Sequence, residues 1–370
     1  MAITLLKIDQ LRNIEQAEII CSPHFNIFFG NNAAGKSSIL EAIYYLGTWK
    51  SFRTHQSERV INSEADNMTL FAQVESGQSI LPIGLQRFRD GSSKIRISEQ
   101  SVSSITKISH YLPIQFIASD SHRILSDGPK CRRQFLDWGL FHTNPSFYSL
   151  WKNFQKLLAQ RNIALKSHAS QKELAIWNRE FALVGEQLNQ LRQQYVSDFL
   201  PFFTEIIRVL LPDTSLSLNY FSGWDTQLTL ETCLNQNVSR ETLAGHSLFG
   251  PQRANLEINV DNFPAEDGLS QGQQKLVSYA LRLAQGLQLQ STGNKTPVYL
   301  IDDLPSEFDL HNRKLVIEIL LRLRAQVFVT GIESCDFIDI LALHADNKMF
   351  HVKHGTISEL SNSSGEERNS

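Results

Sequence analysis

Gly30-Asn31-Asn32-Ala33-Ala34-Gly35-Lys36-Ser37 satisfies the spacing G-x-x-x-x-G-K-[ST]. A loop of this composition can turn backbone N–H groups toward an anion, while the lysine reaches terminal phosphate oxygens and the hydroxyl holds a divalent cation. Context turns the pattern into a prediction. Phe25-Asn26-Ile27-Phe28-Phe29 reads as a strand entering the loop, and Ile39, Leu40, Ile43, Tyr44 and Leu46 recur at helical spacing after it. The positive end of that helix adds to the anion site. Gly30, Asn31, Asn32, Ala33, Ala34, Gly35, Lys36, Ser37 and Ser38 are therefore the expected nucleotide-binding loop, with ATP and Mg²⁺ as its ligands.

A second candidate lies at Asp302-Asp303, after the apolar run Val298-Tyr299-Leu300-Ile301. A buried strand ending in carboxylates delivers them to the sheet edge where α/β folds bind ligands. Asp302 is the expected Mg²⁺ partner with Ser37, and Asp303 is placed to orient or deprotonate an attacking water. With Lys36 these form the expected catalytic set. An Asp-Asp pair alone would read as a helix cap; the loop upstream changes its weight.

A third element separates the P-loop classes. Leu269-Ser270-Gln271-Gly272-Gln273-Gln274-Lys275 opens a helix in which Ser270 and Gly272 leave N-terminal amides open to an anion. By itself Ser-x-Gly-Gln is an N-cap. Its place between the loop and the acidic strand, with Ser306-Glu307-Phe308-Asp309 following, makes Ser270, Gln271, Gly272 and Gln273 similar to an ABC signature. Such a segment contacts the γ-phosphate held by the opposite subunit of a dimer.

The elements that must position these groups follow from periodicity. Two short strands precede Phe25, and Met68 to Val74, Ile80 to Phe88 and Lys94 to Ile97 alternate as strands around an Asp90-Gly91 hairpin signal, an antiparallel lobe. Phe147, Leu150, Trp151, Phe154, Leu157 and Leu158 form a helical stripe ending near Lys166-Ser167-His168. Leu174, Trp177, Phe181, Val184, Leu188, Leu191 and Tyr195 follow at alternating threes and fours, the repeat of a helix pressed along a partner. The short link predicts an antiparallel hairpin arm, and Pro201 should kink or end its second helix. Beyond residue 250 come a turn at Gly268, a helix from about Gln271 to Leu289, the strand before Asp302, a helix over about 309–323, a strand Val327 to Thr330 and a last strand near 348–353. The expectation is an α/β ABC-type head with an antiparallel β lobe and an inserted helical hairpin: 1–122 head, 123–249 arm, 250–360 head, 361–370 disordered tail.

The 370 residues carry a formal net charge of −3, which argues against a chain coated in positive charge, so any DNA site must be a local patch. Cys21, Cys131, Cys233 and Cys335 are too far apart for a zinc pair or a disulfide framework and read as mostly buried thiols. The first residues show no basic segment followed by an apolar stretch, and no run approaches the ~20 apolar residues of a membrane span, so cytoplasm is expected.

Taken together the residues resemble the RecF-type members of the SMC-like ABC ATPases over nearly the whole chain. The resemblance is carried by the loop with Leu40-Glu41-Ala42-Ile43-Tyr44, by Ser51-Phe52-Arg53-Thr54, and by the segment from Gly128-Pro129-Lys130 through Trp138. Gln160-Arg161-Asn162, Gly250-Pro251-Gln252-Arg253, the signature helix and Ile301 to Glu307 continue it. It implies ATP-dependent homodimerisation, slow ATP hydrolysis acting as a switch, and binding of single-stranded, gapped or double-stranded DNA. It also implies other recombination-mediator proteins as partners, with recombinase loading, replication restart and SOS induction as outcomes. Three departures stand out. Ala33 replaces a usual glycine, and a Cβ at positive φ costs on the order of 1 kcal/mol. Asp303 stands where a longer glutamate is usual. Gln115 lies within a predicted strand, and Thr330-Gly331 stands where a histidine is common, which leaves the γ-phosphate sensor open.

Lys130, Arg132, Arg133, Arg87 and Arg89, with Lys94, Arg96 and Arg161, are the candidate DNA contacts; such phosphate contacts carry no sequence information. Solvated faces or ion pairs with local acids are the alternative at each. Arg53 and Arg253 could equally touch nucleotide or a partner subunit. The competing functions are a P-loop small-molecule kinase, the ATPase subunit of another ABC system, and a head that binds ATP without hydrolysing it.

Overall fold

The computed structural model describes residues 1–77, 79–98, 100–102, 109–293 and 295–360; the expected disordered tail, 361–370, lies outside the described residues. The chain divides into two compact units, Met1–Asp120 with the segment after Asn294, and Ser121–Gly293.

The first unit begins with an antiparallel hairpin, β1 (Ala2–Leu11) and β2 (Ile14–Ile20), turning at Arg12-Asn13. After β3 (Phe25–Phe29) and α1 (Lys36–Thr48), β4 (Asn67–Ser76), β5 (Ser79–Phe88), β6 (Ser93–Ile97) and β7 (Gln100–Ser101) extend the hairpin into a sheet ordered β2-β1-β4-β5-β6-β7. Its inner face follows the two-residue period apart from a register shift between Ile3 and Leu5: Ile3, Leu6 and Ile8 of β1 stand opposite Val74, Ala72 and Leu70 of β4, and all are buried. β8 (Ile114–Ile117) starts a second sheet.

The second unit holds α2 (Pro129–Thr143), α3 (Phe147–Lys166) and α4 (Gln171–Leu210), a small sheet of β9 (Leu216–Phe221), β10 (Asn255–Val260) and β11 (Phe263–Pro264), and α5 (Gln271–Gly293). α3 and α4 form the expected antiparallel hairpin: Phe154 meets Phe181, Arg161 meets Asn178, and Leu165 packs with Leu174. α4 does not end at Pro201. It runs 40 residues, about 60 Å at 1.5 Å per residue. The proline removes one helical hydrogen bond, but Phe199, Phe203, Ile206, Ile207 and Leu210 are all buried, and burying them outweighs that loss.

The expected domain boundary at 250 is corrected as well. β10 pairs with β9, and α5 packs along α4, where Gln285 Nε2 donates to Tyr195 Oη (3.0 Å) and to the Phe135 carbonyl (2.8 Å). Residues 250–293 therefore fold with the helical unit. The chain returns to the first unit only after Asn294.

There β12 (Val298–Ile301), α6 (Leu310–Arg322), β13 (Val327–Gly331), β14 (Lys348–Lys353) and β15 (Thr356–Glu359) complete the second sheet, in the order β15-β14-β3-β13-β12-β8. All of its neighbours are parallel except β15, the return arm of a hairpin missed in the sequence. α1 belongs to the core of both sheets. Ile39, Leu40, Ala42, Ile43 and Leu46 cluster with β1 and β4 residues and with Leu300, Phe328 and Phe350, so buried positions fall nearly all round the helix. Among the described residues no helix is long and apolar enough to cross a membrane. The four cysteines are free; Cys21 and Cys233 are buried, but Cys335 is exposed and Cys131 half-buried.

Candidate nucleotide site

Parallel order decides which strand ends are neighbours. β3, β13 and β12 lie side by side, so their carboxyl ends bring the loop at Gly30, Thr330 and Asp302 to one edge of the sheet. Gly30 has φ of 146°, and a Cβ there would lie 2.2 Å from the Val352 carbonyl oxygen, which only glycine avoids. Ala33 has φ of 63°, so the chain does hold a Cβ in the left-handed region at the position where glycine was expected. Asn13, unassigned in the sequence, secures this loop. Its amide Nδ2 donates to the Ala34 carbonyl (3.1 Å), and its Oδ1 accepts from Ser38 Oγ (3.3 Å).

Lys36 Nζ donates to the carbonyls of Gly30 (2.6 Å) and Asn31 (2.9 Å), which holds the ammonium across the loop. Partial burial lowers its pKa from the ordinary lysine value, and the nearby Asp303 and Asp302 carboxylates oppose that shift. Ser37 Oγ donates to Asp302 Oδ1 at 2.9 Å. Thr330, fully buried on β13, donates its hydroxyl to the same oxygen at 2.6 Å and accepts the Asp303 amide N–H at 2.8 Å. One threonine thus sets the position of both acidic residues. Both hydroxyl bonds fall on Oδ1; Oδ2 takes no part in them. The serine hydroxyl and carboxylate, in contact, are a hard oxygen pair of the kind Mg²⁺ accepts.

Asp303 adopts φ 57° and ψ 47°, a left-handed conformation at the start of a short helix over Leu304–Glu307, and its Oδ2 accepts from Ser306 Oγ at 2.6 Å. Gln115 sits buried in β8.

A cavity of about 1270 Å³ is lined by these groups together with Arg12, Arg53, Arg59 and Asn62. It exceeds the ~300–1,000 Å³ of ordinary small-ligand pockets. Its floor is braced by Glu41. That fully buried carboxylate takes Arg12 bidentately (2.9 and 2.8 Å) and Ser51 Oγ at 2.5 Å, and lies 3.9 Å from Arg53. The Ser51-Phe52-Arg53-Thr54 motif is thereby tied to α1. Arg12 and Asn13 escaped the sequence reading, and Glu41 entered it only as part of a motif without a role, because each acts through partners outside its own segment.

In the second unit, Ser270 and Gln273 form a reciprocal capping box at the start of α5: Gln273 N donates to Ser270 Oγ (3.3 Å) and Ser270 N to Gln273 Oε1 (3.0 Å). Ser270, Gln271 and Gly272 are exposed, and a Cβ on Gly272 would meet open space.

Most of the expected DNA contacts hold partners within the chain. Arg132 donates to Asn255 Oδ1 (2.8 Å) and the carbonyls of Ile124 and Leu125, and Arg133 to the Ala254 carbonyl (2.8 Å). Burial lowers both guanidinium pKa values. Arg89 holds the carbonyls of Ala65, Asn62 and Ser63, Arg87 donates to Ser93 Oγ, and Arg161 is fully buried. Carbonyls in turns and between elements need donors, and the long guanidinium supplies several at once. Lys130, Lys94, Arg96 and Arg253 remain exposed.

A phosphate loop and a hydroxyl-clamped aspartate at the ends of two parallel strands that flank a third, in a chain that also carries a serine-capped helix, define a P-loop nucleotide-binding head of the ABC and SMC kind. Residues 2–357 match the sequence family described as RecF/RecN/SMC N terminal domain. The chain is 41% identical over 359 residues to the DNA replication and repair protein RecF of Shewanella sp. (strain W3-18-1) and, equally, to that of Shewanella baltica (strain OS223), covering 97% of this chain and 99% of each relative. The chain belongs to the RecF/RecN/SMC family, within its RecF group. Among solved structures it is similar to the recombination mediator protein RecF with ATP, of the RecFOR pathway (TM-score 0.84, 20% identity, 97% of this chain and 98% of that one). It is also similar to an SMC head bound to the C-winged helix domain of ScpA (TM-score 0.61, 15% identity, 98% of both chains). At these identities the likeness concerns the fold.

Proposed function

We propose that this chain is an ATP-dependent DNA-binding switch of recombinational repair. The observation that carries this reading is the Ser37–Asp302–Thr330 chain of hydroxyl and carboxylate beside Lys36, at one edge of the parallel sheet, in a member of the RecF group.

In this reading the loop amides bind the β-phosphate and Lys36 moves from the Gly30 and Asn31 carbonyls to the β and γ oxygens. Ser37 and Asp302 would hold Mg²⁺, which when bound offsets phosphate charge. Thr330 keeps Asp302 in place. Asp303 orients the attacking water, and because its short carboxylate also accepts from Ser306, turnover is slow. Ser270, capping an exposed helix start, is offered to the γ-phosphate of a second copy, so that ATP joins two heads. Exposed cations such as Lys130 then meet DNA phosphates, and hydrolysis releases them.

Sedimentation with and without ATP tests the switch. A dimer is expected only with ATP, and Ser270→Arg should remain monomeric while still binding nucleotide. If Ser270→Arg turns over ATP like the parent, the kinase reading gains. Phosphate release by the parent against Asp303→Asn separates a slow enzyme from a head that only binds. DNA binding across a salt series, with ATP, ADP or no nucleotide, should weaken as salt rises and be strongest with ATP.

A further inference from the structure

At the amino-terminal edge of the parallel sheet, the end of β3 opposite the phosphate loop, two histidines and an aspartate converge from segments some three hundred residues apart. His24 immediately precedes β3; His344 and Asp346 lie in the few residues before β14, its parallel neighbour. The imidazole centroids of His24 and His344 are 3.8 Å apart with planes at 42°, and His344 Nδ1 lies 3.7 Å from Asp346 Oδ2. One donor atom from each of the three residues falls within 4.8 Å of the others.

We propose that His24, His344 and Asp346 form a Zn²⁺ site that ties the two segments together. Two imidazoles and one carboxylate are a donor set for a borderline ion such as Zn²⁺, whereas Mg²⁺ and Ca²⁺ take oxygens alone. With metal–ligand distances near 2.0–2.2 Å, tetrahedral donors sit about 3.4 Å apart, so closing from 4.8 Å needs only side-chain rotation. His344 and Asp346 are exposed and can supply that rotation.

The backbone beneath is already tied. Buried Asn347 accepts the Phe25 amide N–H at its Oδ1 (3.2 Å), donates from Nδ2 to the Ile340 carbonyl (2.7 Å), and donates its own amide N–H to the His344 carbonyl (3.1 Å). On the other side the His24 carbonyl accepts from Val327 N at 2.8 Å. Both segments are therefore anchored before any ion arrives, which lowers the ordering cost of binding one. Water completes the fourth position. The site is independent of the nucleotide reading: it uses no residue of the loop or of the acidic pair.

The test is calorimetric titration of the full chain, any histidine tag removed, with zinc chloride. One equivalent is expected to bind. Affinity should fall by at least the roughly tenfold to hundredfold that losing an outer-shell partner of a ligand costs, in His344→Ala and in Asp346→Asn, exposed substitutions that leave the core intact. Asp302→Asn and Cys335→Ser should bind as the parent does, which separates this site from the phosphate edge and from the exposed thiol. Zinc should raise the melting temperature of the parent and not of His344→Ala, and Co²⁺ in place of Zn²⁺ should give a visible absorption that His24→Ala removes. No binding to the parent, equal binding to His344→Ala, or loss of binding in Cys335→Ser would each overturn the proposal.

Discussion

Two charged constellations in this molecule are built from similar side chains and reach opposite ends. In the helical unit Arg161 is fully buried, donating to Asn178 (2.8 Å), to Ser247 (2.6 Å) and to Glu241, whose other oxygen accepts from the Leu248 amide (2.7 Å). Ser247 is held in turn by Asn162. At the phosphate-loop edge Lys36 and Asp302 are also tethered, but from one side only: two carbonyls for the ammonium, two hydroxyls on one carboxylate oxygen, with the cavity over both. A closed network has every donor and acceptor matched internally and stays inert, because a ligand could enter only by breaking it. A network fixed on one side is preorganised and still has capacity for a phosphate.

The largest effect should come from opening the closed network. Arg161→Ala leaves Glu241 buried without its cation, and destabilisation of about 3–5 kcal/mol is expected in denaturant melts. Replacing Arg161 and Glu241 together by Met and Leu should recover most of it; failure to recover would mean the pair is worth more than apolar packing there. Asp302→Asn attacks the open network and should lower phosphate release roughly a hundredfold or more with little change in melting. Thr330→Val sharpens the contrast, since the buried Thr330 hydroxyl bonds the Asp302 carboxylate and the Asp303 amide. It should cut kcat about tenfold, by the scale of one lost hydrogen bond to a charged group, with KM nearly unchanged and Thr330→Ser restoring the rate. The smallest effect belongs to Ala33→Gly. It removes a Cβ from φ 63° and should stabilise the loop by on the order of 1 kcal/mol, seen as tighter nucleotide binding in a fluorescence titration.

The two networks were unequally legible. The phosphate loop was readable because its chemistry lies within eight consecutive residues flanked by a strand and a helix, and Asp302 because a run of four buried residues points it at a sheet edge. Thr330 was noticed only as a residue standing where histidine is common. Its role depends on β13 lying beside β12, which no local pattern encodes. Arg161, like Arg132, Arg133 and Arg89, read as a possible DNA contact because arginine in a motif looks the same whether it faces a phosphate or a carbonyl. Pro201 does not end α4, one of the two outcomes expected of it, for a related reason: the rule for a proline in a helix is local, and the stripe that carries α4 past it is buried only by tertiary packing.

Amino-acid order alone determined most of the strands and helices around the site, where a phosphate could be wrapped and which carboxylates end a buried strand, because those properties depend on neighbours within a few residues. Tertiary structure decided which cations hold carbonyls, which hydroxyl positions the acidic pair, and with which unit the helix capped by Ser270 folds. Each of these is a meeting of groups separated by tens to hundreds of residues, and a polar group's partner is chosen by whatever the fold places within about 3 Å of it.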